Sequence, residues 1–425
     1  MKKKLLILGV NGGSIEIIKY AKSRGVYTIV TDNIPYELSI GKQMADAYWM
    51  ISTADLDELE QKAREEQVDG VISGPSDFNV GQTIQLCKRL GLPCYCSEES
   101  WRYSRDKRAF KEICKKHNVP LARDYKVSIM PTESELASIQ YPVMVKPIDL
   151  WGNRGVSYCY NREDVLKACE QIRILSDKSE IIVERMLFGE EWYGYYAMAD
   201  GEISLVALNS MMSQPGEPKN CYSITTTVSD YVKRYCKEVN PVIEDVLKDI
   251  GCKEGIAWVQ AMLDRDGHFY VIEMGYRMDG DMMYVPYKEL CNFDSIAWLT
   301  DLALGEKHHA DELPAPQKSA FEKCACAYML WTNKDGIIKK ISGIDQVEKL
   351  KGVSVYLSVE EGDEVSQYAS MGNIMFVAEN CEELCKIIQK VNQMISVENQ
   401  NDENILIYYT DYQYLMQTYE NGLRE

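Results

Sequence analysis

A lysine at the end of an apolar run, followed by a loop bracketed by glycines, is the first feature of the sequence that suggests chemistry. Residues 141–148 read Tyr-Pro-Val-Met-Val-Lys-Pro-Ile, which is typical of a buried β-strand that carries Lys146. The loop Gly152-Asn153-Arg154-Gly155 follows. Glycines let a backbone approach a ligand closely, and backbone N–H groups beside a cation can hold phosphate oxygens. Taken alone, the motif is equally typical of a strand, a turn and a surface lysine.

Two polar side chains on a predicted hairpin, Gln260 and Glu273, could hold a hard cation. Residues 255–264 and 268–273 read as strands on either side of the turn Arg265-Asp266-Gly267. We therefore expect Gln260 and Glu273 to lie on adjacent strands. Side-chain oxygens are the ligands that Mg²⁺ prefers. Arg277 follows Glu273 closely enough to reach the mouth of the same cleft.

Three more charged residues are candidates for this site. Lys107 follows Asp106 in a predicted helix near residues 101–117, where the pair is also typical of a helix start. Glu184 and Glu191 bracket a glycine turn between two predicted strands. In the simplest interpretation, these two carboxylates are solvated hairpin charges.

The net charge of the chain argues against one group of functions. It is −18 over 425 residues, in a composition of 46% hydrophobic and 26% charged residues that is ordinary for a globular protein. Nucleic acids and anionic membranes are bound by basic faces, so we expect neither as a partner. Lys107, Lys146 and Arg154 would still suit a local pocket for phosphates.

Residues 1–97 alternate between predicted strands and helices. Strands over residues 5–8, 27–30 and 68–73 predict a βαβ pattern and hence a parallel sheet. The first turn, Gly9-x-x-Gly12-Gly13, and Asp32 after the second strand suggest a dinucleotide site, although the spacing is not G-x-G-x-x-G. An NAD(P)-dependent oxidoreductase is therefore an alternative function.

The remainder of the chain is predicted to form two further domains, 98–310 and 311–425. Within the first, residues 123–188 show the order strand, loop, strand, helix, strand, which predicts a small α+β lid. A single long helix is predicted over residues 229–251. The last domain is predicted to be β-rich with one helix, Cys381–Met394. The predicted fold class is therefore α/β and α+β, with a parallel α/β domain over residues 1–97.

Cysteine usage and the N-terminal residues bear on localisation. The sequence has 14 cysteines, four histidines and no C-x-x-C pair, so we expect no structural zinc site and thiols that behave as small buried hydrophobes. The basic start resembles a signal peptide, but its apolar run is short and leads into Asn11-Gly12-Gly13, so we interpret it as a first strand. No run approaches the ~18 apolar residues of a membrane span. We expect a cytoplasmic protein.

Together these motifs resemble the ATP-grasp superfamily, in its biotin carboxylase and carbamoyl-phosphate synthetase-like branch. The resemblance implies a pre-ATP-grasp domain over residues 1–97, a two-lobed ATP-grasp domain over 98–310 and a C-terminal β-rich domain over 311–425. It also implies ATP and Mg²⁺ (or Mn²⁺) as cofactors. Dimers are common among such relatives, so a homodimer is a possible assembly.

The resemblance implies nucleotide-binding roles for several residues. Lys107 and Lys146 are similar to the two phosphate-binding lysines of the family. Gly152, Asn153, Arg154 and Gly155 are similar to its mobile phosphate-covering loop. The run Glu184-Arg185-Met186-Leu187 is similar to the hinge that reads the adenine edge, and Glu191 to the carboxylate that binds the ribose hydroxyls.

The resemblance also implies the metal and catalytic groups. Gln260 and Glu273 are similar to the magnesium ligands, and Arg277 to the arginine that stabilises the transferred phosphate or the tetrahedral centre, so Arg277 and Lys146 are the catalytic candidates. The sequence departs from the family at Gly275, since the usual motif is Glu-x-Asn-x-Arg. Water, Asp279 or Asp281 could replace the lost ligand; otherwise the site is weakened.

The implied reaction is the ATP-dependent ligation of a carboxylate to an amine through an acyl phosphate, with amino acids or related small carboxylates as substrates. Phosphoryl transfer of this kind depends on positioning and charge neutralisation. The alternatives are a nucleotide-binding protein with weak or lost catalysis and the NAD(P)-dependent oxidoreductase. Candidate residues for substrate recognition are Ser76, Asp77, residues 211–224 and residues 279–281.

Overall fold

The N-terminal part of the chain is built on a parallel sheet. The structure, a computed structural model, describes residues 2–148, 155–176, 178 and 180–424. The first elements in chain order are β1 (Lys4–Leu8), α1 (Gly12–Ser23), β2 (Tyr27–Thr31), α2 (Ile40–Met44), β3 (Ala47–Trp49), α3 (Leu56–Glu66), β4 (Gly70–Ser73) and α4 (Asp77–Leu90). The strand order is β3-β2-β1-β4, and every pair is parallel. The predicted parallel sheet is thereby confirmed, although the short strand β3 was not predicted.

Local side chains determine where the helices on this sheet begin. The Asn11 side chain accepts a hydrogen bond of 3.1 Å from the Ser14 N–H and so begins α1. Ser76 does the same for α4, which ends at Gly91 in the left-handed region, with φ of 70°. Buried residues of α1 and β1 form part of a common core. Helix α1 therefore packs its buried face against β1 and β4.

The predicted helix near residues 101–117 is two helices. These are α5 (Glu98–Arg105) and α6 (Lys107–Lys116). Asp106 separates them, because its carboxylate accepts hydrogen bonds of 3.0 Å from the N–H groups of Arg108 and Ala109 and thereby begins the second helix. Lys107 consequently occupies the first position of α6.

The lid predicted from the order of its elements is a four-stranded antiparallel sheet with two helices. Its elements are β5 (Asp124–Tyr125), α7 (Glu133–Ala137), β6 (Val143–Pro147), β7 (Ser157–Cys159), α8 (Arg162–Leu175) and β8 (Ile181–Arg185). The strand order is β5-β8-β6-β7. Val143, Val145 and Val183 pack against Val165 and Ile172 of α8 in a core of their own. Lys146 therefore lies on a strand that packs against α8 through its valines.

A long antiparallel sheet forms the body of the molecule. The elements that follow the lid are β9 (Gly189–Ala199), β10 (Glu202–Ser213), β11 (Tyr222–Thr226), α9 (Val232–Glu238), α10 (Asn240–Asp249), β12 (Gly255–Asp264), β13 (Phe269–Gly275), α11 (Tyr287–Cys291) and α12 (Ser295–Ala303). The prediction of one helix over residues 229–251 was wrong. Pro241 lies in the first turn of α10, where its missing N–H is tolerated, and it begins a new helix there.

The last part of the chain extends the same sheet. Its elements are β14 (Cys324–Thr332), β15 (Gly336–Ser342), α13 (Ile344–Val347), β16 (Ser354–Leu357), β17 (Glu364–Val365), β18 (Ser370–Ala378), α14 (Cys381–Met394), β19 (Ser396–Asn399), β20 (Leu406–Ile407) and α15 (Tyr412–Arg424). The nine-stranded sheet has the order β13-β12-β9-β10-β11-β14-β18-β16, with β20 on β14, and so continues across residue 311. The helix Cys381–Met394 is confirmed, but α13 and the tyrosine-rich α15 were not predicted. Among the described helices, none is long and apolar enough to cross a membrane.

The start of helix α14, away from the cavity described below, tests whether a single side chain stabilises a helix start. Asn380 accepts a hydrogen bond of 3.0 Å from the Glu383 N–H at its first turn. We expect Asn380→Ala to lower the free energy of unfolding by about 1 kcal/mol because that N–H loses its partner. Thermal or urea unfolding measures the change. Asn401→Ala, an exposed residue in a turn, is the control; equal losses in the two variants would contradict the capping role.

Candidate active site

One cavity collects the candidate residues. Its volume is about 450 Å³, and its walls come from the lid, from α6 and from strands of the long sheet. Among the residues that line it are Lys107, Lys146, Glu184, Arg185, Leu187, Glu191, Gln260, Glu273 and Arg277. Gly155 has a positive φ of 74° and is not part of this lining. Gly152, Asn153 and Arg154 lie outside the described residues. The nucleotide-binding roles of these residues stay predictions. The structure places the residues around one cavity.

A buried ion-pair cluster fixes the position of Lys146. Its ammonium group pairs with one oxygen of Glu184, and Lys111 of α6 pairs with the other oxygen. Lys111 also pairs with Asp124. In the register of the lid sheet, Lys146 lies opposite Ile182, so Glu184 is its diagonal neighbour on the same face. Sheet geometry therefore brings this lysine and this glutamate together.

The charge state of Glu184 follows from its surroundings. Burial alone would raise the pKa of Glu184, but the charges of Lys146 and Lys111 and their hydrogen bonds lower the pKa to about 2. Glu184 is therefore ionised at neutral pH. It is the shared counter-charge of Lys146, which lines the cavity, and of Lys111 behind it.

The segment predicted to read the adenine edge is attached to both lobes. Arg185 pairs with Asp264 at 2.6 Å and with Asp266 at 3.2 Å, across the turn between β12 and β13. Asp264 also accepts a hydrogen bond of 2.6 Å from the Phe188 N–H. Within the described part of the chain, the N–H of Leu187 donates to no protein acceptor. That backbone donor is therefore available to a ligand in the cavity.

Glu191 is part of a polar chain across three strands. It accepts a hydrogen bond from the Tyr222 hydroxyl and one of 2.5 Å from the Gln260 side-chain amide. Burial raises the pKa of Glu191, and these two hydrogen bonds oppose that change. Because Gln260 uses its NH₂ group on Glu191, its carbonyl oxygen is left as an acceptor for a ligand.

The two predicted metal ligands lie directly opposite each other. Gln260 of β12 pairs with Glu273 of β13 in the antiparallel register, as the hairpin predicted. The free carbonyl of Gln260 and the carboxylate of Glu273 are oxygen donors of the kind that Mg²⁺ prefers, and this ion commonly takes one or two carboxylates together with phosphate oxygens. No group of three or more histidine, cysteine, aspartate or glutamate side chains is placed to hold a metal in the described ranges. The donor set therefore fits Mg²⁺ that is shared with a nucleotide.

Arg277 is held in one orientation by three contacts. Its Nε and Nη2 donate to the two carboxylate oxygens of Asp77 at 2.7 and 2.9 Å, and its Nη1 donates to the Met278 carbonyl at 2.7 Å. The guanidinium lies 5.2 Å from the ring centre of Trp258. Three of its five N–H donors are thus engaged, which leaves two for a ligand. Asp77, a substrate candidate from the sequence, lines the cavity beside it.

Gly275 has a packing role that the sequence did not reveal. It lies opposite Trp258 in the β12–β13 register. A Cβ atom on Gly275 would overlap the indole, lying 2.6 Å from the Trp258 Nε1. The space that an asparagine side chain would occupy is therefore taken by the tryptophan. Asp279 and Asp281, which the sequence offered as substitute ligands, do not line the cavity that contains Gln260 and Glu273.

The two features that suggested a dinucleotide site are occupied by other parts of the chain. Asp32 is buried and pairs with the buried Lys42 at 2.7 Å. At the start of α1, a Cβ atom on Gly12 would lie 2.7 Å from the Met282 Cε. The carboxylate and the glycine turn therefore serve internal packing, which leaves the NAD(P)-dependent alternative without structural support.

Several residues of the site were not predicted. The most important are Lys111, which lies one helical turn beyond Lys107, and Tyr222, Trp258 and Lys219, which line the cavity. Lys111 follows Lys107 by four residues, and this spacing places two side chains on the same face of a helix. That was the signal in the sequence for Lys111. Lys219 and Tyr222 fall within residues 211–224, which the sequence marked as a whole. Ser76, in contrast, caps α4 and does not line the cavity.

Two family models match the chain. Residues 106–284 match the model described as the carbamoyl-phosphate synthase L chain, ATP binding domain. Residues 328–400 match the model described as the L-amino acid ligase C-terminal domain 2. The first match contains Lys107, Lys146, Gln260, Glu273 and Arg277 and covers the cavity described above.

Known proteins resemble the chain over most of its length. The carbamoyl phosphate synthase large chain of Micrococcus luteus is 24% identical over 314 residues, which are 70% of this chain but only 28% of that relative. An L-amino acid ligase from Bacillus licheniformis aligns with a TM-score of 0.76 at 17% identity, over 94% of this chain and 99% of the ligase. The biotin carboxylase domain of the Hydrogenobacter thermophilus 2-oxoglutarate carboxylase, solved with MgADP, aligns with a TM-score of 0.77 at 16% identity, over 99% and 94% of the two chains.

These matches agree with the fold that the sequence predicts. The predicted ATP-grasp fold is confirmed, and the matched proteins include members of the biotin carboxylase and carbamoyl-phosphate synthetase-like branch. Residues 106–284 are similar to the ATP binding domain of the carbamoyl-phosphate synthase L chain.

The lowered pKa of Glu184 predicts a pH dependence of stability. The ionised carboxylate stabilises the folded state above its ordinary pKa of 4.5, and this stability is lost as pH falls from about 4.5 through the folded value of about 2. The contribution is on the order of 3 kcal/mol. We expect Glu184→Gln to be less stable at neutral pH and to lack this acid-dependent loss. Urea unfolding from neutral pH to about pH 3 measures it.

A surface glutamate provides the control for this experiment. Glu420 pairs with Arg424 on the exposed face of α15, and surface pairs contribute little. Glu420→Gln should therefore keep the acid dependence of the native protein. If Glu184→Gln also keeps it, Glu184 is not the group whose protonation destabilises the fold in this range.

The contact between Gly275 and Trp258 predicts a coupled pair of substitutions. We expect Gly275→Asn to lower the free energy of unfolding by about 1–3 kcal/mol, because the new side chain overlaps the indole. In a Trp258→Ala background, the same substitution should cost at least about 1 kcal/mol less. A double-mutant cycle by urea unfolding gives this difference. Additive effects would show that the two residues do not compete for space.

Proposed function

We propose that the protein is an ATP-dependent carboxylate–amine ligase that acts through an acyl phosphate, on amino acids or related small carboxylates. The observation that supports this most directly is the shared cavity. The cavity brings together Lys146, the oxygen donors of Gln260 and Glu273, and Arg277. All four lie in residues 106–284, which match a family model described as an ATP binding domain. The similarity of residues 328–400 to an L-amino acid ligase domain supports the choice of substrate class. A homodimer belongs to the same proposal, since the similar biotin carboxylase domain is described as a dimer.

In this proposal, the lid strand and the hinge hold the nucleotide. Lys146 and Lys107 bind phosphate oxygens, and Lys146 needs no reorientation because Glu184 already fixes it. The backbone at Leu187 meets the adenine edge, and Glu191 binds the ribose hydroxyls. Gln260 and Glu273 would hold Mg²⁺, which neutralises charge on the phosphates when it is bound.

The substrate carboxylate attacks the γ-phosphate, which gives an acyl phosphate and ADP. The uncharged amine then attacks the acyl carbon, phosphate leaves with the electrons of the broken C–O bond, and the nitrogen gives up one proton to solvent as the amide forms. The two unengaged N–H donors of Arg277 stabilise the negative charge that develops on the transferred phosphate or on the acyl oxygen. Asp77 keeps this guanidinium in place throughout.

A second candidate function is supported by the Gly275–Trp258 contact. The indole occupies the position of the usual asparagine ligand, so the metal site has one protein oxygen fewer than is usual for the family. A protein that binds the nucleotide but turns it over slowly, or not at all, would account for this change. Substrate-dependent ADP release distinguishes the two functions.

Lys146 provides the test of the proposed ligase. Incubation with MgATP and pooled amino acids should release ADP and phosphate in a substrate-dependent manner. We expect Lys146→Ala to reduce this rate about 100-fold or more, because the positioned cation at the phosphates is lost. A coupled assay for ADP measures it. ATP binding without turnover by any carboxylate and amine would favour the second candidate function.

An exposed lysine serves as the matched control. Lys116 pairs with Asp249 at the far end of α6 and is largely exposed. Lys116→Ala should retain the native rate. A rate for Lys146→Ala that equals the rate for Lys116→Ala would contradict the role of Lys146.

A further inference from the structure

Six large apolar side chains are exposed at one edge of the N-terminal parallel sheet. They belong to the segment that follows β2 and to the segment that contains β3. Each of these residues exposes between 39% and 63% of its surface. We call the group the apolar patch; its members are Ile34, Tyr36, Leu38, Ile40, Tyr48 and Met50. Single exposed apolar residues are normal on a protein surface, whereas a contiguous group marks a contact site.

A buried lysine joins the two segments of the apolar patch. The side chain of Lys42 is completely buried. Its ammonium group donates to the carbonyl oxygen of Asp32 at 3.0 Å and to the carbonyl oxygen of Ile34, and it contacts the Met50 Sδ at 3.1 Å. The segment that follows β2 is therefore attached to the end of β3 from inside.

Two tyrosines join the same segments on the outside. The ring centres of Tyr36 and Tyr48 lie 5.0 Å apart, and the Lys42 ammonium lies 5.9 Å from the Tyr48 ring centre. Leu38 ends the short 3-10 turn that begins at Tyr36. The patch is thus one contiguous surface whose shape is set before a partner arrives, so that little conformational entropy is lost when it is covered.

The apolar patch lies beside an open sheet edge. Strand β3 is at one end of the order β3-β2-β1-β4, and no described strand pairs with its outer side. Such an edge presents unpaired backbone donors and acceptors to another strand. The opposite edge strand, β4, leads into α4 and Asp77, which lines the cavity. A partner that adds to the sheet at β3 therefore leaves the cavity accessible.

The distribution of charge favours contact between two copies at this surface. The net charge of −18 makes two copies repel each other over most of their surfaces. Residues 34–50 contain two carboxylates, of which Asp46 pairs with Lys22 at 3.3 Å. Glu37 is the other. Few charges together with tyrosine and methionine are typical of the core of a protein interface.

The area of the apolar patch is close to what one side of a dimer interface needs. With about 200 Å² for a fully exposed large side chain, the exposed fractions correspond to about 600 Å². An interface of standard size buries about 800 Å² per partner, polar rim included. A two-fold axis brings the same patch of both copies together and lets the two β3 edges meet antiparallel. A second copy thus matches both the apolar surface and the open edge.

We propose that two copies of this chain associate through the apolar patch, with β3 of one copy beside β3 of the other. The two four-stranded sheets then form one continuous sheet. This inference rests on the homodimer of the proposed function and names its surface, and it is independent of the ligase reaction.

Sedimentation velocity of the full chain, without nucleotide or substrate and over a series of protein concentrations, tests the proposal. We expect the native protein to sediment as a dimer. Leu38→Asp should raise the dissociation constant of the dimer at least about 100-fold, because two-fold symmetry buries two copies of the new charge. Leu38 is 63% exposed, so the substitution leaves the core intact. Thermal unfolding of the variant, followed by circular dichroism, checks that it is folded.

Two further variants make the result specific to the patch. Leu38→Lys lowers the net negative charge and should still weaken the dimer, which separates the lost apolar contact from added repulsion between acidic copies. Ile174→Asp makes the same kind of change at a residue that is 81% exposed on α8 of the lid, and it should leave the dimer unchanged.

Two results overturn the proposal. The first is a native protein that is monomeric at every concentration, which would also remove the homodimer from the proposed function. The second is a dimer that is equally stable in the native protein and in Leu38→Asp, which would leave the homodimer in place and show that another surface forms it. Absence of substrate-dependent ADP release would contradict only the ligase function, since the sedimentation experiment contains no ATP.

Discussion

The buried carboxylate of Glu184 is the interaction on which the rest of the site depends. It is the common counter-charge of Lys146 on β6 and Lys111 on α6, two elements that no strand pairing connects. Since an unpaired charge in a low-dielectric interior is strongly disfavoured, the carboxylate fixes the helix against the lid. In the proposed ligase, a phosphate would meet an ammonium group that is already oriented, so less side-chain freedom would be lost on binding.

How much of this arrangement the sequence can predict depends on how far apart the interacting residues lie along the chain. Gln260 and Glu273 belong to one hairpin with a short turn, so local signals define their strand pairing, and the structure places them opposite each other. The parallel sheet follows from repeated short βα units in the same way. Glu184 and Lys111, in contrast, are 73 residues apart, and their contact arises only when the lid packs on α6. No local pattern encodes such a pair.

Two breaks between helices were missed because the surrounding helix-forming residues outweighed the single residue that marks each break. Asp106 is a preferred residue at helix starts, and Pro241 is a residue that interrupts helices, yet each lies within a long stretch of helix-forming residues. Continuous helical spacing therefore predicted one helix where the structure has two. The break at Asp106 matters for the site, because it places Lys107 in the first turn of α6, at the wall of the cavity.

Gly275 shows why a departure from a family motif has to be considered together with its neighbours. From the sequence, the glycine removes an oxygen ligand. In the structure, it makes room for Trp258, whose ring lies under the Arg277 guanidinium at 5.2 Å. At the position where the family motif has an asparagine, this chain therefore has a glycine that lets the tryptophan support the arginine.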